Sequence, residues 1–172
     1  MRSHLHTSTL LLAGVAVASL TACQKGWVVE TLQPGPRVEL WDGDEVTYTL
    51  TAEWTVSDVG DVYRAVLELD GVPEASGGEA MLELCEFGES DGVCHGSLVT
   101  DGDSYSGFNV LTPNELEACA AETGVCTRTY TVRFISTSSG PTAWRWEARA
   151  AIEGLSEASA PEGMHVALTL ER

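Results

Sequence analysis

Residues 45–57, EVTYTLTAEWTVS, alternate apolar and polar side chains and decide the fold class. The apolar side chains of this stretch share one face, and they are Val46, Tyr48, Leu50, Ala52, Trp54 and Val56. Four threonines, Glu53 and Ser57 share the other face. Because successive side chains of a β-strand point to opposite sides, this period of two predicts a strand with one buried and one wet face. Strands of that kind form antiparallel sheets.

The same alternation recurs along the chain and extends the prediction to a whole domain. It is clear in residues 63–69, 129–134, 144–152 and 164–171. Weaker strands are expected near residues 37–41, 80–87, 93–100 and 106–111, between turn signals such as WDGD and TDGDS. Eight or nine strands in about 135 residues predict an all-β fold, an antiparallel β-sandwich.

One segment, TPNELEACAAETG at residues 112–124, has the signals of a helix instead. Thr112 is a candidate N-cap, Pro113 occupies the first helical position, and Glu115 follows the cap by three residues. Gly124 stands where a helix should stop. We therefore expect one short helix near residues 113–122.

The first 22 residues have the features of a signal peptide. Arg2 gives a positive start, and residues 10–20, LLLAGVAVASL, form an uncharged apolar run. A helix that crosses the hydrocarbon layer needs about 20 apolar residues, so this run is too short for a permanent membrane span. We expect it to be removed by a peptidase.

The residues that follow the run, Leu20-Thr21-Ala22-Cys23, resemble the bacterial lipobox. The resemblance covers residues 1–23 and implies that Cys23 receives a diacylglycerol, that residues 1–22 are removed, and that the new amino terminus is acylated. Two or three acyl chains, at roughly 0.8 kcal/mol per buried CH₂, make a stable anchor. The alternative is an ordinary secretory signal with an unrelated cysteine nearby. The resemblance predicts a membrane-anchored lipoprotein of the bacterial cell envelope, and Gln24, in place of a retention aspartate, favours the outer membrane over the inner.

The chain is strongly acidic, with a net charge of −17 at pH 7. Removal of residues 1–22 takes away Arg2 and no acidic side chain, so the expected mature protein has a net charge of −18. Such a surface repels polyanions, which excludes nucleic acid as a partner. We interpret this negative charge as a source of solubility through self-repulsion. The alternative interpretation is an acidic docking surface for a cationic partner.

Four cysteines remain after Cys23, namely Cys85, Cys94, Cys119 and Cys126. An even number in an exported chain predicts two disulfides, and three connectivities are open. The sequence-local one joins Cys85 to Cys94 and Cys119 to Cys126, and each short loop is worth roughly 2–3 kcal/mol. A zinc site that uses these thiols with His95 is the alternative, but no C-x-x-C pair supports it.

The stretch WDGDEVTYTLTAEW, residues 41–54, resembles the opening of immunoglobulin-like modules of bacterial surface proteins. The resemblance implies an immunoglobulin-like β-sandwich over residues 37–172. It implies no bridge between the sheets, since Trp54 precedes every cysteine of the domain. Residues 23–36, which include QPGP, are then expected to be the lipidated amino terminus and a linker.

Candidate catalytic and metal-binding residues are few. Only His95 and His165 remain after residue 22, and His165 lies on the polar face of the last predicted strand. Asp101 and Asp103 are weak calcium candidates, because their loop lacks the glycine and the glutamate of an EF-hand. No catalytic motif is present in the sequence, so we expect no cofactor and no enzymatic activity.

Three functional hypotheses remain. The first is a non-catalytic envelope lipoprotein that presents its loops or a sheet edge to a protein or glycan, with most contacts expected in residues 70–78, 86–93 and 101–107. The second is a calcium-stabilised adhesion or structural module, and the third is a secreted hydrolase with an unrecognised site. Trp27 and Trp41 are the tryptophans expected outside the core and free to contact a glycan. For Trp27, four residues after Cys23, a position at the membrane interface is an equal alternative.

Overall fold

The computed structural model describes residues 26–74, 80–86, 94–99, 105–136, 141–156 and 159–172. For residues 73, 80, 86, 94–99 and 105–108 only the backbone is described. The predictions for Cys23, Asp101 and Asp103 lie outside the described residues, and so do the side chains of Cys94 and His95.

The described part contains ten strands and one helix. Their bounds are β1 Val28–Pro34, β2 Val38–Leu40, β3 Glu45–Thr55, β4 Val62–Pro73, β5 Ala80–Glu86, β6 Cys94–Val99, β7 Tyr105–Leu111, α1 Pro113–Ala120, β8 Val125–Ser136, β9 Thr142–Gly154 and β10 His165–Glu171. The strands form two sheets, and the pairings within each sheet are antiparallel. The predicted all-β sandwich is confirmed.

The order of the strands is that of a jelly roll. One sheet has the order β1-β9-β4-β7, with β2 also paired to β9, and the other has the order β10-β3-β8-β5-β6. With β1 and β2 counted as one interrupted strand, the chain changes sheet after every strand up to β9 except between β5 and β6, which gives the two Greek keys of a jelly roll, and β10 adds an edge. An immunoglobulin sandwich keeps its first two strands adjacent in one sheet, whereas β2 and β3 lie in different sheets here. The expected immunoglobulin order is therefore replaced by the jelly-roll order.

The core lies between the two sheets and is rich in aromatic side chains. Trp146 contacts Tyr48 and Phe134, with ring centroids 5.4 and 5.5 Å apart. Trp54 and Trp144 are fully buried. Each large apolar side chain that is buried in this way stabilises the fold by roughly 1.5–3 kcal/mol. The inward face predicted for β3 is confirmed in its four central residues, Tyr48, Leu50, Ala52 and Trp54.

The start of β4 departs from the predicted alternation. Tyr63 was expected to share the inward face of Ala65, yet it is 55% exposed while Val62 is buried. The register against β9 shifts between Val62 and Arg64, and this β-bulge turns the side chains before it to the opposite side. Regular alternation begins only after the bulge.

Residues 23–36 were predicted to be a linker, and this prediction is wrong for the second half of the segment. Residues 28–34 form β1, which pairs with β9 from Val28 opposite Glu153 to Pro34 opposite Glu147. Trp27 is only 7% exposed and donates from Nε1 to Asp61 at 2.9 Å, so it belongs to the core and not to a membrane interface. The sequence VVETLQP lacks the apolar and polar alternation of the other strands, which is why it was missed.

Helix α1 begins as predicted. The Thr112 hydroxyl accepts from the Glu115 amide at 3.4 Å, and the Thr112 amide donates to the Glu115 carboxylate at 2.8 Å, which completes a capping box. The helix ends at Ala120, two residues before the expected end. Gly124 has a φ of +73° and donates to the Ala120 carbonyl at 2.8 Å.

Of the two predicted disulfides, Cys119–Cys126 is confirmed and joins α1 to β8, with the Cα atoms 4.9 Å apart. Cys85 is also disulfide-bonded, and the residue opposite it across the β5–β6 ladder is Cys94. Directly opposed positions in an antiparallel pair bring Cα atoms within bridging range, which is the arrangement that the predicted Cys85 to Cys94 bridge requires. Within the described ranges, no helix has both the length and the apolar character needed to cross a bilayer.

Candidate binding cleft

The turn between β2 and β3 presents an exposed indole. Trp41 is 63% exposed, whereas the other four tryptophans are at most 7% exposed. The turn is closed by two hydrogen bonds, since the Trp41 amide donates to the Asp44 carboxylate at 2.9 Å and the Asp44 amide donates to the Trp41 carbonyl at 2.8 Å. Gly43 supplies the positive φ of +77° that the turn needs. The backbone of Trp41 is therefore held in one position.

Trp41 borders a cleft of about 290 Å³. Its other lining residues come from two neighbouring segments and are Arg37, Glu39, Pro141, Thr142 and Ala143. The pairing of β2 with the first residues of β9 brings these segments together, with Glu39 opposite Ala143. Small-molecule sites begin at about 300 Å³, so this cleft has room for a single sugar ring or one amino-acid side chain.

The connector between β1 and β2 fixes the position of Arg37. The Trp146 indole donates to the Pro36 carbonyl at 2.9 Å, and the Gly35 amide donates to the Trp146 carbonyl at 2.9 Å. A Cβ at Gly35 would lie 1.9 Å from the Trp146 ring, so only glycine allows this approach. The chain therefore leaves the core at a defined point, one residue before Arg37.

The rim of the cleft is polar, and its charges balance. Arg37 donates to both Glu39 and Glu74, and Arg145 donates to Glu74. The hydrogen bond from Arg37, and a further one from Arg145, hold the pKa of Glu74 below its usual range. Two guanidinium groups thus face two carboxylates on a chain that is otherwise strongly acidic. This balance favours a neutral polar ligand over an ionic one.

One wall of the cleft contains a buried hydroxyl. Thr142 is 1% exposed, and its Oγ1 has no hydrogen-bond partner in the part of the chain that the structure describes. A buried hydroxyl without a partner costs about 1–3 kcal/mol.

The residues predicted as functional sites do not meet at this cleft. His165 is exposed at the start of β10, with Thr55 as its partner across the sheet. His95 is on β6, where only the backbone is described. Among the described residues, no group of three or more His, Cys, Asp or Glu side chains could hold a metal ion.

The three loops expected to make contacts fall largely outside the described residues. Of their described residues, 70–73 belong to β4, 86 to β5 and 105–107 to β7, while Glu74 lies outside the strands and pairs with Arg37 at the rim of the cleft. The cleft was not predicted as a unit. Trp41 was expected to be exposed, and Glu74 falls in a segment expected to make contacts. Arg37 and Thr142 could not be brought together from the sequence, because they are distant in it and meet through the β2–β9 pairing.

No protein-family model and no curated protein sequence matches the chain. Among solved structures, the chain is similar to one titled "Structure of infectious bursal disease virus Gx strain", with 12% sequence identity and a TM-score of 0.39. The match covers 85% of this chain and 36% of the length of that chain. A likeness at this level carries no argument about function.

Proposed function

We propose that the protein is a lipid-anchored envelope lipoprotein that binds a glycan at the Trp41 cleft without catalysing a reaction. The observation on which the proposal rests is the 63% exposure of Trp41 on a turn closed by two hydrogen bonds. A large aromatic side chain that is exposed to water on a fixed backbone gains a favourable free energy when a ligand buries it.

Three properties of the cleft favour a glycan over a protein. The indole offers a flat apolar face on which the C–H groups of a sugar can stack. The guanidinium and carboxylate groups of Arg37, Glu39 and Glu74 supply donors and acceptors for sugar hydroxyls. A stable protein interface involves about 20–30 residues on each partner, whereas six described residues line this cleft.

The carboxylates of the cleft support binding rather than catalysis. A glycoside hydrolase uses two carboxyl groups, one of which has a raised pKa and acts as general acid. Here the hydrogen bond from Arg37 lowers the pKa of Glu74, which opposes that role. Among the described residues that line the cleft, Glu39 is the one carboxylate, whereas glycoside hydrolysis uses two.

The anchor in this proposal is Cys23, on the basis of the lipobox. The described domain supports an exported protein through its disulfides, since bridges persist in oxidising compartments. Outer-membrane sorting follows from Gln24 and belongs to the same proposal. The partner is then a polysaccharide or peptidoglycan component of the envelope.

A glycan array tests the binding proposal. Residues 24–172 are applied to an array that includes peptidoglycan fragments and outer-membrane oligosaccharides, next to the Trp41→Ala variant. We expect Trp41→Ala to weaken binding at least about tenfold, because the stacking surface is lost. Asp42→Ala, at an exposed position of the same turn, is the matched control and should bind as the wild type does. Equal binding by wild type and Trp41→Ala would refute the proposed site.

A further inference from the structure

The two ends of the sandwich expose different groups of residues. At one end, Trp27 is fixed by its amide, which donates to the Ser156 carbonyl at 3.1 Å, and by its carbonyl, which accepts from Gly154 at 2.8 Å. At the other end, Thr142 lines the Trp41 cleft. Strand β9 runs from Thr142 to Gly154, and its 13 residues, at about 3.3 Å per residue, span about 40 Å. We call these the Trp27 end and the cleft end.

The Trp27 end is covalently close to the proposed anchor. Only residues 24–26 separate Cys23 from Trp27. Four fully extended Cα steps reach at most about 14 Å. The headgroup layer on each side of a bilayer is about 5–8 Å thick. An acylated Cys23 therefore keeps Trp27 within about 14 Å of the lipidated cysteine, at or next to the headgroup layer.

Exposed apolar side chains are present at this end. Leu155 is 62% exposed and Tyr63 is 55% exposed. Both belong to the same edge, because the Leu155 amide donates to the Asp61 carbonyl at 3.0 Å and Val62 lies opposite Gly154. The Arg64 guanidinium lies 5.5 Å from the centre of the Tyr63 ring. Tyrosine is one of the two aromatic side chains that are enriched at membrane interfaces.

The charges at the Trp27 end indicate which lipid surface it suits. The hydrogen bond from Ser156, followed by that from Trp27, lowers the pKa of Asp61, so this group stays ionised near neutral pH. Asp58 and Glu162 are exposed nearby, and Lys25 is the only lysine of the chain. An excess of carboxylates disfavours anionic headgroups and favours a zwitterionic surface.

We propose that the Trp27 end rests on the bilayer, with Leu155 and Tyr63 in the interfacial layer, and that the cleft end faces away from it. The proposal depends on the acylation of Cys23 stated above. The anchor and the exposed apolar side chains belong to the same end of the domain, which makes the lipid surface the occupant of this patch. The Trp41 cleft then stands about 40 Å from the membrane, in reach of envelope polymers.

Site-specific labelling of the mature lipoprotein tests this orientation. The protein is purified from membranes and reconstituted in phosphatidylethanolamine and phosphatidylcholine vesicles, with a fluorescent or spin label at Leu155→Cys or at Asp42→Cys. Asp42 is exposed in the turn at the cleft end and serves as the matched control. The parent protein without an added cysteine measures background labelling.

We expect a water-soluble quencher to reach the label at position 155 at least about fivefold less than the label at position 42. A lipid-phase quencher should show the opposite order. Mass spectrometry of Cys23 and flotation with the vesicles separate the two proposals. Acylated, membrane-bound protein with equal accessibility at both labels overturns the orientation alone, whereas an unmodified Cys23 overturns the anchor together with it.

Discussion

Trp27 and Trp41 are the same residue type with opposite roles, and the difference arises from their immediate neighbours. Trp27 packs where Gly154 leaves space, since a Cβ at Gly154 would lie 2.1 Å from the indole. Trp41 follows a three-residue strand and belongs to a closed turn that points it outward. The sequence predicts the exposure of Trp41 but not the burial of Trp27, because that burial depends on the distant residue 154.

Substitution of Gly154 by Ala tests the packing of Trp27. The added methyl overlaps the indole, so we expect a loss of roughly 1–3 kcal/mol in the free energy of unfolding, measured by urea denaturation. Gly43→Ala is the control for backbone effects, because no heavy atom lies within 4 Å of its Cβ and only the positive φ is penalised, by about 1–2 kcal/mol. A Gly154→Ala protein as stable as the wild type contradicts the packing of Trp27 against Gly154.

Asp61 predicts a pH dependence of stability. Hydrogen bonds from Ser156 and Trp27 lower its pKa in the folded state below 3.8, the usual value of an aspartate. A depressed folded pKa stabilises the protein above the unfolded pKa, and this contribution disappears as the pH falls through the folded pKa. Between pH 6 and pH 3, the urea concentration at the midpoint of unfolding should therefore fall less in Asp61→Asn than in the wild type. The exposed control Asp42→Asn should show the same fall as the wild type. An unaltered fall in Asp61→Asn rejects this role.

At the scale of elements, the sequence predicted the strands and the helix whose signals lie within one short segment of the chain. Period-two alternation predicted β3, β8 and β9, because each strand has one face on the core. A capping box predicted the start of α1. Strand β1 was missed because Val28 and Leu32 face outward while Gln33 is half-buried. The jelly-roll order could not be predicted, since β1 pairs with β9 from the opposite end of the chain and no local pattern encodes that choice.

The capping box of α1 gives a prediction at this scale. Thr112→Ala removes the acceptor for the Glu115 amide, so we expect a loss of about 1 kcal/mol in the free energy of unfolding. Thermal and urea denaturation both measure it. Asn114→Ala, an exposed position in the first turn of the same helix, is the matched control and should change stability by less than half as much. Equal effects at the two positions argue against the cap.

At the scale of the whole molecule, several of the acidic side chains form ion pairs with a few arginines. Arg149 donates to Glu30 and Glu68, both at 2.6 Å, and Arg133 donates to Glu45 and Glu83 at 3.0 and 2.8 Å. Each guanidinium thus joins carboxylates from two neighbouring strands. This pairing reduces repulsion among the acidic side chains within a sheet, where like charges would otherwise be adjacent.

The proposed anchor belongs to the same scale, because acylation of Cys23 would determine where the whole domain resides. Cys23→Ser removes the sulfur that the lipobox presents for acylation, so the protein should leave the membrane fraction or remain as an uncut precursor. Fractionation followed by immunoblotting measures both outcomes. Asp42→Ser, a serine substitution within the domain, is the control and should stay in the membrane fraction. Normal cleavage and unchanged membrane partition of Cys23→Ser contradict the anchor.

The central claim, that the Trp41 cleft binds a glycan, is tested most directly by a tryptophan fluorescence titration with an oligosaccharide from the envelope. The other four tryptophans are at most 7% exposed, so a ligand on the cleft changes the emission of Trp41 first. We predict a saturable change in the wild type that is absent in Trp41→Phe, while Asp42→Ala keeps it. The same saturable change in wild type and Trp41→Phe would show that the ligand binds elsewhere and would contradict the claim.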